Sequence, residues 1–367
     1  MSINNLLACR LFVVGAALIL FSACTPPNQP NSSSASGKTV DKPGSNPYDA
    51  TLAAAAMQGR DYQQAIRLWS NVLAIESLSQ AQRIRALAGR GLCYTYIRNM
   101  NAAIADANEA IELKPDSPEI LSLRGMIDLE THELSKSLDN FDAAIRIKPD
   151  LAEAHAGRGD VQERLGHFDM AIADYDTAIG IKPYVAEFYD HRGHAYLLMG
   201  DADRAIEDFN QAIQRDSKEF SAYSLKGVAL YATGRYAEAA GNFEKALSLK
   251  ADQAYVVIWL DLARLRINAA DQPEFARNSA NLNLSKWPGP ILEYYQGKLK
   301  LDQLKDDAAH SPASDLSERT CQVEFYSAEH LIATHKVVDG KPMLLRVRED
   351  CQTNSVEHSV AQIKLNG

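Results

Sequence analysis

Small, aliphatic and aromatic positions recur along the middle of the chain with a step of 34 residues. A small residue followed by an aliphatic one stands at Ala103-Ile104, Ser137-Leu138, Ala171-Ile172 and Ala205-Ile206, with Ala239-Ala240 in the fifth place. Next in the same register come Ala107, Phe141, Tyr175, Phe209 and Phe243, and then Ala110, Ala144, Ala178, Ala212 and Ala246. Each block is preceded by a glycine: Gly91, Gly125, Gly159, Gly193 and Gly227. A period of this length predicts a repeated two-helix unit. The second helix starts near Leu134, Phe168 and Tyr236, after a Gly-x or His-x turn, with Gly166, Gly200 and Gly234 as the glycines. Lys-Pro ends the first three units at Pro115, Pro149 and Pro183, because proline cannot continue the hydrogen-bond ladder; Ser217 and Ala251 stand there in the next two.

Glycine and alanine at fixed positions let two helices approach closely, and the aromatic ring fills the remaining gap. Glycine, alanine, aromatic and proline at these offsets resemble the tetratricopeptide repeat, strongly over residues 84–253. Residues 51–83 resemble a degenerate first unit, with Gly59-Arg60-Asp61-Tyr62 at its turn and Ala65-Ile66 and Trp69 after it. Ala65 falls four residues out of register with Ala103, which predicts a second helix about one turn longer. The resemblance implies an all-α fold: a right-handed superhelical solenoid of about six helix pairs over 49–253, followed by a helical C-terminal tail. Its units run at about 51–83, 84–117, 118–151, 152–185, 186–219 and 220–253. Such solenoids hold other molecules along a surface.

A basic residue precedes each glycine: Arg90, Arg124, Arg158, Arg192 and Lys226. These could form a positive rail. Yet Asp106, Asn140, Asp174, Asp208 and Asn242 keep the same step, fifteen residues after each glycine. Matched ladders favour partly buried hydrogen-bonded pairs between the two helices of a unit.

Beyond residue 253 the register weakens but helices continue. Tyr255–Ile267 is strongly apolar, Pro273–Leu284 reads as helical, and Trp287-Pro288-Gly289-Pro290 interrupts the chain. Ile291–Leu304 follows as a helix, then a polar connector over 306–317, a pair at about 315–335 and 341–351, and a last helix over 355–365. Residues 254–367 resemble the tail of NlpI-type tetratricopeptide lipoproteins. The matching positions are Trp287-Pro288, Tyr294, Gly297, Cys321, Glu324-Phe325-Tyr326, Glu329 and Cys351; Ala328 stands where glycine is usual and Gly340 where alanine is.

The other end reads as a leader. Arg10 is followed by the apolar run Leu11–Phe21, too short to remain as a membrane span, and then by Ser22-Ala23-Cys24. This resembles a bacterial lipobox, which implies a lipoprotein signal peptide over 1–23, removed before a lipidated Cys24. An ordinary cleaved signal is the alternative. Thr25, where inner-membrane lipoproteins carry aspartate, favours an outer-membrane lipoprotein facing the periplasm. Residues 24–48, rich in proline, serine, asparagine and glycine, read as a disordered tether.

With Cys9 in the signal, Cys24 lipidated and Cys93 beside Gly91 as a packing residue, Cys321 and Cys351 remain. They fall at the start of one helix and the end of its antiparallel partner. An oxidising compartment makes a disulfide the first reading, with a metal site as the rival. The net charge of −9, with no basic patch, argues against nucleic acid. His191 and His194 share a helical turn, but no metal-binding carboxylate motif accompanies them, and no nucleophile motif stands in a plausible setting. We therefore expect no enzyme, cofactor or metal.

By the repeat resemblance, first-helix side chains line a concave groove. They include Glu119, Met126, Glu153, Asp160, Glu163, Glu187, Asp190, His194 and Tyr231, an acidic set with apolar patches. That set suits a basic or amphipathic polypeptide, though solvated helix faces would look the same. The Lys, Asn and Arg clamp of cytosolic co-chaperones is absent. The NlpI resemblance implies a scaffold or adaptor, possible as a homodimer, for an envelope protease or cell-wall hydrolases. A secretin-carrying pilotin and a peptidoglycan-active enzyme are the alternatives.

Overall fold

A computed structural model describes residues 49–270, 272–280 and 282–366. The signal peptide 1–23, Cys24 and the tether 24–48 lie outside the described residues. Every regular element among the described residues is an α-helix, in keeping with the expected all-α repeat fold. The pairs are α1 (Asp49–Gln58) with α2 (Tyr62–Leu73), α3 (Gln80–Tyr96) with α4 (Met100–Leu113), and α5 (Pro118–Glu130) with α6 (Leu134–Ile147). They continue as α7 (Ala152–Arg164) with α8 (Phe168–Ile181), α9 (Ala186–Leu198) with α10 (Ala202–Arg215), and α11 (Phe220–Ala232) with α12 (Tyr236–Leu249). The tail holds α13 (Ala254–Arg266), α14 (Gln272–Ser279), α15 (Gly289–Tyr295), α16 (Leu301–Ala309), α17 (Leu316–Ala333), α18 (Val337–Asp350) and α19 (Val356–Asn366).

These helices gather into two compact units. The first holds the described residues up to Val161 together with Thr177–Pro183; the second holds Gln162–Asp176 and the chain from Tyr184 onward. Within each, a helix packs against its pair mate and against the next pair, as α4 does on α5 and α12 on α13.

Side-chain caps begin a few of the helices. Asp61 accepts from the Gln64 N–H at 3.0 Å, and Asp201 from the Arg204 N–H at 3.1 Å. A reciprocal capping box of Ser79 and Gln82 opens α3. One residue per turn takes the left-handed conformation: Arg98, His132, Gly166, Gly200 and Gly234, at φ between 61° and 85°. The four-residue slip of the first unit is absorbed differently from the expectation. Helix α2 is 12 residues long against 14 for α4, while α3 has 17. The extra turn sits at the front of α3, where the capping box fixes its start.

The aromatic of a second helix can reach two first helices, as Phe141 does. A Cβ built on Gly125 would lie 3.0 Å from the Phe141 ring, and Phe141 also presses on Gly157 of the next unit. Trp69 lies on Gly89 and Tyr175 meets His191 edge-on at 5.8 Å, both partners standing two residues before the repeat glycine. Where the aromatic is replaced by Ala107, Leu123 moves into the space and comes 3.2 Å from a Cβ on Gly91. A methyl on Gly227 would lie 2.5 Å from the Phe243 ring, which is fully buried and cannot yield. Gly227→Ala is therefore expected to destabilise by about 1–3 kcal/mol in denaturant unfolding. Adding Phe243→Leu should recover part of that loss, as coupled neighbours do.

Sequence register weakens after 253, yet the backbone keeps it for one more unit. Asn268, 34 residues after Gly234, is again left-handed at φ 55°, and it ends α13 as the repeat turns end their first helices. Asp261 stands in the glycine place. The helix expected over 291–304 is in fact two, α15 and α16, because Gly297 at φ 70° turns the chain between them. Helix α14 stops at Ser279, and α18 starts at Val337, with Pro342 inside it. Helices α17 and α18 form the expected antiparallel pair. They approach closely at Gly340, where a Cβ would lie 2.6 Å from the Ala328 carbonyl oxygen and 2.7 Å from the Ile332 side chain.

Candidate functional site

The arginines before the glycines are stitches in two directions. Arg90 grips Asp106 of its own unit through Nε at 2.9 Å and Nη2 at 2.7 Å, and Arg192 grips Asp208 at 2.8 and 2.7 Å. Arg192 also donates to Asp176 of the preceding unit, Arg124 to Asn108 at 2.7 Å, and Arg158 to Asp142 at 2.7 Å. This second ladder, at 108, 142 and 176, is absent from the sequence expectations. A search for polar residues one arginine-to-aspartate step upstream would have found it. Arg124 turns to Asp128 of its own helix at 3.1 Å, and Asn140 donates to the same carboxylate at 2.8 Å. The expected pairing within a unit is direct at Arg90–Asp106 and Arg192–Asp208, whereas Arg124 reaches Asp128 instead and Asn242 donates to the Glu238 carbonyl.

Several residues assigned to the groove are buried or paired with neighbouring side chains. Glu153 is buried and accepts from Lys182 at 2.6 Å, and Glu119 does the same with Lys148 at 3.2 Å while staying 29% exposed. Burial works against the Glu119 charge, but the helix-start N–H and Lys148 outweigh it and hold its carboxyl below the usual range. His194 is fully buried with Nδ1 2.8 Å from Glu163 of the preceding unit, and Asp190 is buried and accepts from Ser221 of the next. Met126 and Glu187 are buried, and Asp160 is half-buried. His191 and His194 thus diverge, one to Tyr175 and one to Glu163. Among the described residues no three His, Cys, Asp or Glu side chains gather as a metal-holding group.

Tyr231 leads into the tail. Its hydroxyl donates to Glu329 of α17, which also accepts from Arg266 of α13 at 2.7 Å and from Lys364 of α19 at 2.8 Å. Glu329 is fully buried. Burial raises its pKa, but Lys364 and Arg266 more than cancel that and hold the carboxyl below its ordinary value. Four helices of the second unit are joined at this one carboxylate. Around it lies an aromatic core: Trp259 meets Tyr231 at 5.1 Å, Phe325 at 5.5 Å and Tyr326 at 5.7 Å.

A second polar cluster lies beside it. Gln322 Oε1 accepts from Tyr255 at 2.9 Å and from Trp287 at 2.6 Å, and the Tyr326 hydroxyl is 3.4 Å from Glu357 of α19. Burial, with Glu318 nearby, pushes the Glu357 carboxyl from 4.5 up to about 7. Well below pH 4.5 the folded and unfolded chains are both protonated at this group. As pH rises to about 7 only the folded chain keeps the proton, so stability falls across that window, by about 3 kcal/mol in total. Glu357→Gln should flatten this part of the profile, read as the difference between variant and parent in unfolding at pH 5 and pH 8.

Cys321 and Cys351 are joined, with Cα atoms 5.8 Å apart, as expected. Cys93 is buried, and burial pushes its thiol up to about 12.

Models of the tetratricopeptide repeat match residues 84–117, 123–186 and 192–254, and no catalytic family is among the matches. No curated protein matches the chain. Among solved structures, that of Pseudomonas aeruginosa pilF covers 60% of this chain and 99% of its own, with a TM-score of 0.51 at 15% identity. At that identity the likeness is one of fold. A thermophilic repeat protein of Thermus thermophilus covers 51% of this chain and 100% of its own, at 19% identity and a TM-score of 0.44. MamA covers 46% and 96%, at 26% identity and a TM-score of 0.33. Residues 84–117, 123–186 and 192–254, matched by those family models, carry tetratricopeptide repeats, a module that binds protein and peptide partners.

Proposed function

We propose that the protein is an outer-membrane-anchored scaffold, facing the periplasm, that holds envelope proteases or cell-wall hydrolases. The run of stacked repeat pairs carries this reading, because such arrays present extended surfaces to other polypeptides. Ser22-Ala23-Cys24 supports the anchor, and the Cys321–Cys351 bond suits an exported, oxidising compartment. Cross-linking in intact envelopes, followed by identification of the captured chains, is the test. A protease or hydrolase is the expected capture. Secretin components alone would replace this reading with that of a pilotin, and turnover of peptidoglycan by the purified protein would replace it with an enzyme.

A further inference from the structure

Helix α19 lies on the ends of the first helices of the last two repeats. Ser359 Oγ donates to the carbonyl of Leu198, the final residue of α9, at 3.1 Å. The Gln362 and Ile363 side chains pass 4.0 and 3.9 Å from the place a Cβ would take at Gly200. Asn354, just ahead of α19, donates to the Arg164 carbonyl at 3.4 Å. At the far end Lys364 enters a cage: its ammonium is 4.3 Å from the Tyr231 ring centroid, 5.5 Å from that of Tyr236, and 2.8 Å from Glu329. Val356, Val360 and Ala361 supply the buried apolar side. The face that includes Tyr231 is therefore already filled, by a helix with one buried side and a lysine in its last turn.

The chemistry of this seat is mixed. A helix of 11 residues is marginal alone, so α19 is ordered by docking. Much of what it buries is polar: Glu357, Ser359 and the Lys364 ammonium. Desolvating charged groups offsets most of the Coulombic gain of pairing them. The repeat pairs also carry desolvated ion pairs, as at Glu153–Lys182, but add buried rings pressed against glycines, which α19 does not have. We propose that α19 is a detachable occupant, and that the face beneath it takes a partner's helix of the same chemistry, apolar along one side with a lysine for the Tyr231–Tyr236–Glu329 cage. This rests on the scaffold reading and names the class of segment the scaffold would hold.

A labelled peptide of residues 353–366 tests it by fluorescence anisotropy, against the full chain and against a chain lacking residues 353–367. The shortened protein should bind the peptide at least about tenfold more tightly than the full chain does. A Lys364→Ala peptide should bind it about tenfold more weakly than the parent peptide. A shortened protein that keeps its helical circular dichroism and does not bind overturns the proposal. If shortening prevents folding, hydrogen exchange on the full chain decides. Amides of 360–366 exchanging about a hundredfold faster than those of α11 and α13 support a detachable helix; equal protection overturns it. Failure here with envelope partners still captured removes the displaceable helix alone. Capture of no partner by either form removes the scaffold reading as well.

Discussion

Replacing Glu329 with alanine should lower the stability of the second unit by about 3–5 kcal/mol, the cost of stranding buried charges whose partner is gone. Arg266 and Lys364 are 15% and 11% exposed as side chains, and both point at the same carboxylate oxygen, so neither can reach full hydration without moving its helix. Removing Lys364 too, as Lys364→Met, should return part of the loss, and the difference between single and double variants measures the coupling. Unfolding followed by near-ultraviolet circular dichroism reports on the aromatic core around Trp259. The sign of the pH dependence is fixed by the same contacts. Glu329 is held below its ordinary value of 4.5, so its contribution is complete above that value and is lost as pH falls through the depressed one. Glu357 acts in the opposite sense, favouring the folded unit as pH falls from about 7. Denaturation of the Glu329→Ala protein that matches the parent at pH 7 would show that the carboxylate holds nothing together.

The repeat was legible because its glycines and rings are a close-packing code. Gly125 and Phe141 touch, and nothing larger fits between them. The same code hides once its members are exchanged. Ala328 and Gly340 swap places in α17–α18, and Asp261 takes a glycine place in α13, so residue matching fades while the left-handed turn at Asn268 keeps the backbone register. The surroundings of the groove residues were hidden for a different reason. Periodicity gives the face on which Glu153 or His194 sits, but the partners that cover them, Lys182 and Glu163, lie about 30 residues away. Tyr231 meets Glu329 across 98 residues of chain, a separation that no local pattern encodes.

Loss of the Cys321–Cys351 bond should cost about 3–4 kcal/mol, the chain-entropy value for a loop of 30 residues. A Cys321→Ser, Cys351→Ser double variant avoids a stray thiol, and Cys93, buried and with its thiol pushed up to about 12, stays inert in both proteins. The unfolding midpoint of the second unit should fall by on the order of 10 °C, and reductant should move the parent to the same place while leaving the double variant unchanged. Repeat arrays need not melt as one, so the first unit should hold its own transition while the second shifts. The position of the bond makes this a test of more than loop entropy. Cys351 caps α18, and only residues 352–355 separate it from α19, so the bond fixes where that helix leaves the α17–α18 pair. Without it, docking of α19 must order a longer free segment to bring Lys364 to Glu329. Amides of α19 should then exchange faster in the double variant than in the parent even under conditions where α11 and α13 remain equally protected. If the two proteins melt alike and α19 is equally protected in both, the bond merely joins ends that packing already holds together.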